Sequence, residues 1–148
     1  MALLEAAKKQ IAQRIGKIEQ ESAVYETEPW GFEDENLFLN QLLQIQTTVE
    51  AERLLEIALS IEASLGRERS EQSYSGRTMD IDILFYDSLV LSSKKLSIPH
   101  PRVHLRRFAL EPLNEIARDL QHPTLLKSMH ELLNECQDKQ KVHIFTAD

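Results

Sequence analysis

The chain has 148 residues, of which 42% are hydrophobic, so it is long enough for one hydrophobic core and too short for two ordinary domains. We therefore expect a single domain over residues 1–148. The formal net charge of −7 argues against a nucleic-acid surface, which normally shows an excess of lysine and arginine along one face. Any phosphate-bearing ligand is thus expected to be small. The single cysteine, Cys136, excludes an intrachain disulfide and fits a reducing cytoplasm.

The sequence shows no pattern typical of a membrane or exported protein. No run of roughly eighteen apolar residues occurs. Glu5, Lys8 and Lys9 fall where a secretory signal would be apolar. These observations predict a cytoplasmic location and no membrane partner.

Hydrophobic periodicity predicts the elements of the first half of the chain. They are a helix over residues 2–19, a strand over 22–27, a loop over 28–36, a strand over 37–47 and a second helix that ends at Gly66. Thr47 and Glu50 match a capping box, which marks the start of that second helix. Glycine is a common helix stop, which favours the end at Gly66.

The second half of the chain is predicted from the same signals. Its elements are a polar, helix-free segment over residues 67–76, a central strand over 77–86, short strands over 89–91 and 96–98, a helical turn over 103–107, a helix with Pro112 at its first position, a helix from Ser128 to about Cys136 and a strand over 142–145. Ser128 and Glu131 form another capping box. This order predicts an α+β fold, in which an antiparallel sheet carries helices on one side.

Two carboxylates share one face of the strand predicted over residues 77–86. Asp80 and Asp82 are two residues apart, so their Cβ atoms would lie about 6.6 Å apart on the same side. Mg²⁺ is usually bound by one or two carboxylates together with substrate phosphates, so the pair is typical of half a nucleotide site. The alternative is that both side chains simply form the solvated face of a half-buried strand.

Basic residues bracket this acidic pair and favour the nucleotide site. They are Arg67, Arg69 and Arg77 upstream, and His100, Arg102, Arg106 and Arg107 downstream. The polar segment 67–76 is then a candidate loop over the phosphates. Its alternative is a solvated connection whose arginines have no specific role.

Three further features could serve a ligand, and each has a simpler explanation. Phe38 and Asn40 would share a strand face, where they could stack on and hydrogen-bond to a flat heterocycle or form ordinary sheet surface. Trp30 could plug the core or face a ligand. His100 lies between two prolines, which could aim its imidazole, although such a histidine is more often a surface turn residue.

Six motifs of this chain occur together in one known family. They are Tyr25-x-Thr27-x-Pro29-Trp30-Gly31, Phe38-Leu39-Asn40, Glu62-x-x-x-Gly66-Arg67-x-Arg69, Gly76-Arg77-Thr78-Met79-Asp80-Ile81-Asp82-Ile83-Leu84, Ile98-Pro99-His100 and Arg106-x-Phe108-x-Leu110-x-Pro112-Leu113. With them the sequence resembles the hydroxymethyl-dihydropterin pyrophosphokinases, enzymes of folate biosynthesis. The resemblance extends from the first helix to near the C-terminus.

The resemblance implies a reaction and a fold. The β,γ-pyrophosphoryl group of ATP would pass to the hydroxymethyl group of 6-hydroxymethyl-7,8-dihydropterin, and AMP would leave. Two Mg²⁺ ions would assist. The fold would be a ferredoxin-like α+β arrangement, with helices packed on the faces of an antiparallel sheet.

The resemblance also implies a role for each matching residue. Asp80 and Asp82 would hold the two Mg²⁺ ions and act in catalysis together with Arg69 and Arg77. ATP would contact Glu62, Arg67, Arg69, Arg77, Ser97, His100 and Arg106. The pterin would contact Thr27, Trp30, Phe38, Asn40 and Phe108, with its ring between the two phenylalanines. Asp82 is the residue expected to assist deprotonation of the pterin hydroxyl.

Members of that family usually begin with a strand and a Gly-Ser-Asn-Leu-Gly turn, whereas this sequence begins at the helix that follows them. We therefore expect the first strand of the sheet to be absent, and a monomer unless another chain supplies that strand. The alternative function is a non-catalytic module that binds nucleotide or pterin. A nucleotidyltransferase is disfavoured, because neither the Gly-Ser turn nor the third carboxylate that such sites generally use is found.

Overall fold

A computed structural model describes residues 1–27, 38–69 and 79–146, without the side chains of residues 67–69. The helices are α1 (Ala2–Arg14), α2 (Ala51–Arg69), α3 (Arg107–Ala117) and α4 (Met129–Glu135), with a 3₁₀ turn at Val103–Leu105. The strands are β1 (Lys17–Glu21), β2 (Tyr25–Thr27), β3 (Phe38–Asn40), β4 (Leu43–Gln46), β5 (Leu91–Ser92), β6 (Ser97–Ile98) and β7 (Val142–Ile144). Within this described part, no helix is long and apolar enough to cross a lipid bilayer.

All strand pairs among the described residues are antiparallel. β1 pairs with β4, β2 lies between β3 and β7, and β5 pairs with β6. Antiparallel strands packed with helices confirm the predicted α+β class. Over residues 1–27, 38–69 and 79–146, however, the strands form three separate sheets and do not join into one.

The first helix is shorter than its periodicity predicts. α1 ends at Arg14, where the backbone N–H groups of Ile15 and Gly16 both donate to the carbonyl of Ile11. Ile18, which the prediction placed on the helix, lies in β1 opposite Ile45. The prediction of a helix to residue 19 is therefore wrong, because an apolar residue at that spacing also serves a strand.

The strand predicted over residues 37–47 is two strands in different sheets. The chain leaves β3 after Asn40 and enters β4 at Leu43. Between them, Ser22 holds the connection: its hydroxyl accepts the N–H of Leu42 at 2.9 Å, and its carbonyl accepts the side-chain amide of Gln41 at 2.7 Å. Alternation alone could not reveal this break, because the contacts that hold residues 41 and 42 come from a residue distant in sequence.

The second helix differs from its prediction at both ends. It begins at Ala51, and the hydroxyl of Thr47 accepts the N–H of Val49 in a local turn instead of forming the predicted capping box. It continues to Arg69, three residues past Gly66, so the start of the segment predicted as helix-free is helical. A glycine within a helix costs only about 1 kcal/mol, which burial of residues such as Leu65 offsets. Residues 70–78 lie outside the described chain.

The predicted central strand is wrong in its pairing, and its predicted faces hold over residues 79–83 but not beyond, where Leu84 and Phe85 pack on the same cluster. Residues 79–86 pair with no other strand of the described chain. Met79, Ile81 and Ile83 are nevertheless partly buried, whereas Asp80 and Asp82 are exposed. The alternation of side chains follows from the sequence, but a ladder also needs a neighbouring strand.

Most of the shorter elements agree with the sequence. The capping box of Ser128 and Glu131 opens α4, and β7 lies where a closing strand was predicted. The helical turn occurs at Val103–Leu105. Pro112 lies inside α3 and not at its first position, so the carbonyl of Phe108 loses one helical hydrogen bond there.

Buried side chains form three hydrophobic clusters. The first cluster joins α1 and α2 through Ala7, Ile11, Ile15, Ile57, Ile61 and Leu65. The second cluster joins α3 and α4 through Val103, Ala109, Leu110, Leu113, Met129 and Leu132. The third cluster contains Ala51, Leu96 and Ile98. Each cluster also receives side chains from residues 79–86.

Gly16, between α1 and β1, lies directly against the backbone of Gln46 at the end of β4. A Cβ atom at this position would overlap the carbonyl oxygen of Gln46 and lie 3.0 Å from the Cβ of Thr47. We expect Gly16→Ala to lower the free energy of unfolding by about 1–3 kcal/mol through overpacking. Urea denaturation measures this change, with Gln13→Ala on the exposed face of α1 as the control. A Gly16→Ala value within about 0.5 kcal/mol of the control would contradict the packing described here.

His122 is buried as a neutral side chain, with 5% exposure. Its Nδ1 accepts the backbone N–H groups of Thr124 at 3.2 Å and Leu125 at 3.1 Å. The ring of His104 lies 6.1 Å away, centroid to centroid. Burial, with a smaller contribution from His104, lowers the pKa of His122. Protonation would place a hydrogen on the atom that already accepts two donors.

Because the folded pKa is lowered, the unfolded chain binds more protons near the ordinary histidine pKa of about 6.5. We therefore expect the contribution of His122 to the free energy of unfolding to decrease as the pH falls below about 6.5, by at most about 1.4 kcal/mol per pH unit. His122→Asn keeps an acceptor for the same N–H groups and does not titrate. Urea unfolding should be measured from about pH 8 to about pH 5, the range in which histidines titrate. The free energy of unfolding should decline less steeply with falling pH for His122→Asn than for the wild type. Parallel curves would contradict this role.

Candidate active site

The two carboxylates of residues 79–86 reach solvent on the same side of the chain. Asp80 and Asp82 are exposed, while Met79 and Ile81 pack on the first cluster. Burial of the alternate side chains therefore turns both carboxylates away from the core. This arrangement agrees with the shared face predicted from the sequence.

Glu62 on α2 adds a third carboxylate to this region. Its Oε2 accepts the backbone N–H of Ile81, the residue between the two aspartates, at 2.5 Å. Burial raises the pKa of Glu62, the negative charges of Asp80 and Asp82 raise it further, and the Ile81 hydrogen bond opposes both. The structure thus brings three predicted site residues together.

An open cleft of about 250 Å³ lies beside these carboxylates. It is lined by Leu55, Ile81, Asp82, Ile83, Ser93, Lys94, Lys95, Leu96, Ser97, His100 and Pro101. Asp82, Ser97 and His100 were predicted site residues. Lys94 and Lys95 were not, although two adjacent lysines in an acidic chain are a signal that could have identified them.

His100 is held by two backbone contacts. Its N–H donates to the carbonyl of Leu84 at 2.9 Å, and its Nδ1 accepts the N–H of Arg102 at 3.1 Å. A neutral imidazole with Nδ1 as acceptor carries its proton on Nε2. Burial lowers the pKa of His100, and the charges of Arg106 and Arg102 lower it further, while Asp82 opposes them. His100 can therefore donate a hydrogen bond from Nε2 without carrying charge.

Three of the five residues expected to contact a pterin, Thr27, Phe38 and Asn40, lie together on β2 and β3. Thr27 pairs with Phe38, and Tyr25 pairs with Asn40, so all four side chains share one face of the ladder. The amide of Asn40 donates to the hydroxyl of Thr27 at 3.4 Å. Phe38 is 54% exposed, which leaves its ring available for stacking.

Phe108 and Arg106 stand at the start of α3. The guanidinium carbon of Arg106 lies 5.6 Å from the centroid of the Phe108 ring, within the range of a cation–π contact. Asp138 fixes the first turn of α3 by accepting the N–H of Arg107 at 3.0 Å. The charge of Arg106 also contributes to lowering the pKa of His100, which lines the cleft.

α3 is joined to the strand that carries Thr27. The hydroxyl of Tyr25 donates to Glu115 at 2.7 Å, and the N–H of Ala23 donates to both oxygens of the same carboxylate at 3.1 Å. Burial and the Glu115 carboxylate raise the pKa of Tyr25. Phe108 lies seven residues before Glu115, which places both on the same side of the helix.

Several predicted residues lie beyond what the structure describes. Trp30 and Arg77 fall outside the described residues, as does the loop predicted over residues 28–36. Arg67 and Arg69 lie in the last turn of α2, and their side chains are not described.

The residues present fit a magnesium ion bound together with phosphates. Within the described ranges, no three His, Cys, Asp or Glu side chains come close enough to hold an ion by themselves. Asp80 and Asp82 are nonetheless exposed oxygen donors, and Asp82 lines the cleft. Mg²⁺ prefers such oxygen ligands and usually completes its shell with water and phosphate.

Comparisons with known proteins agree with these observations. Residues 1–118 match the family model for 7,8-dihydro-6-hydroxymethylpterin-pyrophosphokinase. The chain is 43% identical over 120 residues to the 2-amino-4-hydroxy-6-hydroxymethyldihydropteridine pyrophosphokinase of Methylorubrum extorquens, covering 80% of this chain and 75% of the relative. It is 37% identical over 125 residues to the enzyme of the same name from Porphyromonas gingivalis, covering 82% of this chain and 84% of that relative.

A third relative is the folic acid synthesis protein of Pneumocystis carinii, 39% identical over 121 residues, which are 82% of this chain and 16% of that protein. Together these similarities confirm the enzyme predicted from the motifs, an ATP-dependent pyrophosphokinase that acts on a pterin in folate biosynthesis. The chain belongs to the 7,8-dihydro-6-hydroxymethylpterin-pyrophosphokinase family.

Proposed function

We propose that this chain transfers the β,γ-pyrophosphoryl group of ATP to the hydroxymethyl group of 6-hydroxymethyl-7,8-dihydropterin. The pterin oxygen forms a bond to the β-phosphorus, the bond from that phosphorus to the α,β-bridging oxygen breaks, and AMP leaves. The hydroxyl proton passes to a base. The observation that carries this proposal is the exposed pair Asp80 and Asp82 beside a cleft lined by lysines and His100, in a chain of this family.

The nucleotide is proposed to lie along the cleft, with its phosphates toward Asp82 and the lysines. Lys94 and Lys95 would offset phosphate charge, and Nε2 of His100 would donate to a phosphate oxygen. The further residues assigned to ATP by the resemblance are Glu62, Arg67, Arg69, Arg77, Ser97 and Arg106. Asp80 and Asp82 would hold two Mg²⁺ ions, which when bound neutralise negative charge on the phosphates.

The pterin is proposed to bind between Phe38 and Phe108. Asn40 and Thr27 offer amide and hydroxyl groups on the same ladder face, and they suit the polar edge of a flat heterocycle. Trp30 is assigned to the same pocket by the resemblance. Catalysis then consists of positioning and charge stabilisation, and no protein nucleophile is required.

Other features are proposed from the sequence. The domain is expected to span residues 1–148, the protein to be cytoplasmic and monomeric, and nucleic acid not to bind. The acidic net charge supports the last expectation.

AMP release tests the reaction directly. With ATP, Mg²⁺ and 6-hydroxymethyl-7,8-dihydropterin present, we expect AMP to form, and omission of any one component should abolish it. Each omission serves as a control for contaminating hydrolysis. A folded chain that binds nucleotide and pterin but forms no AMP would contradict the proposal and favour a non-catalytic binding module.

Asp82 is proposed to assist deprotonation of the pterin hydroxyl. Asp82→Ala removes both a metal ligand and this carboxylate, so we expect kcat to fall at least about 100-fold at saturating Mg²⁺. The matched control is Asp119→Ala, an exposed aspartate after α3, which should retain wild-type kcat. Normal turnover by Asp82→Ala would exclude the role.

A further inference from the structure

Glu62 lies on a part of α2 that carries several buried side chains. It follows Ile61, which is fully buried, and precedes Leu65, which is 1% exposed. Both neighbours belong to the first cluster, between α1 and α2. The backbone that carries Glu62 is therefore held by the packing of the first cluster, which does not depend on a ligand in the cleft.

The carboxylate of Glu62 accepts a backbone donor that no strand of the described residues accepts. Residues 79–86 form no ladder within the described chain, yet the N–H of Ile81 is satisfied by Glu62. The side chain of Ile81 packs on the first cluster as well. Two independent contacts, one polar and one apolar, thus fix the residue that separates Asp80 from Asp82.

The geometry argues against a direct metal role for Glu62. Three carboxylates near one ion would form a ligand group, but no such group of three exists in the described part of the chain. One oxygen of Glu62 is already engaged by a backbone donor. Glu62 is partly buried beside two other carboxylates, which makes its charge costly, and the hydrogen bond from Ile81 offsets part of that cost.

We propose that Glu62 is a positioning residue, which holds the backbone at Ile81 so that Asp80 and Asp82 present their carboxylates together to a divalent cation. The residue acts through a hydrogen-bond acceptor and not through its charge. This inference rests on the proposed metal site, and it refines the nucleotide role that the resemblance assigns to Glu62.

The test distinguishes the role of Glu62 as a hydrogen-bond acceptor from the role of its negative charge. Glu62→Gln keeps an acceptor oxygen at the same reach, whereas Glu62→Ala removes it. The control is Glu56→Ala, which removes an exposed carboxylate elsewhere on α2. The probe is Mn²⁺, titrated in the presence of a non-hydrolysable ATP analogue and followed by electron paramagnetic resonance. Circular dichroism checks that each variant is folded.

We expect Glu62→Ala to weaken Mn²⁺ binding on the order of tenfold or more, as loss of a residue that orients ligands does. The Kd of Glu62→Gln and of Glu56→Ala for Mn²⁺ should stay within about threefold of the wild-type value. A tenfold change would correspond to about 1.4 kcal/mol of binding free energy. The amide proton of Ile81 should resonate downfield in wild type and Glu62→Gln, and shift upfield in Glu62→Ala. This NMR signal reports the hydrogen bond without any turnover.

Two results would overturn the proposal. Binding by Glu62→Gln that is as weak as by Glu62→Ala would show that the charge itself is required. Wild-type binding by a folded Glu62→Ala would show that the hydrogen bond does not matter. If Glu62→Ala does not fold, the Glu62→Gln titration alone still decides between acceptor and charge. Because Mn²⁺ binding needs no transfer, failure to release AMP would count against the proposed reaction only.

Discussion

The site depends on a segment that is held by side-chain burial instead of strand pairing. Met79 and Ile81 pack on the first cluster, Leu84 and Phe85 on the second, and Ile83 and Tyr86 on the third. Residues 79–86 pair with no strand in the described chain, so these side-chain contacts are the main interactions that fix their position. The exposed aspartates are consequently placed by the same packing that joins the three clusters.

The two halves of the proposed site are connected at the start of α3. Arg106 contacts the ring of Phe108, and its charge acts on His100 beside the cleft. Glu115, further along the same helix, holds the strand that carries Thr27 through Tyr25. A pyrophosphokinase must align a hydroxyl with a phosphorus atom to within a fraction of an ångström. α3 thus carries residues near both proposed binding regions, with Arg106 and Phe108 at its start and Glu115 in its last turn.

The sequence predicted features that depend on neighbouring residues and missed those that depend on distant ones. The shared face of Asp80 and Asp82 and the capping box at Ser128 follow from local spacing, and both are present. The close approach of Gly16 to the carbonyl of Gln46 joins residues 30 positions apart in the sequence, and no local pattern predicts it. The bond from Glu62 to Ile81 spans 19 residues and likewise requires the fold.

Intact transfer of a pyrophosphoryl group from ATP to the pterin can be tested by following labelled phosphorus. With ATP labelled at the γ-phosphorus, we expect the label to appear in the pterin product. With ATP labelled at the α-phosphorus, we expect the label to remain in AMP. An α-label in the pterin product, or a γ-label released only as inorganic phosphate or pyrophosphate, would contradict this transfer.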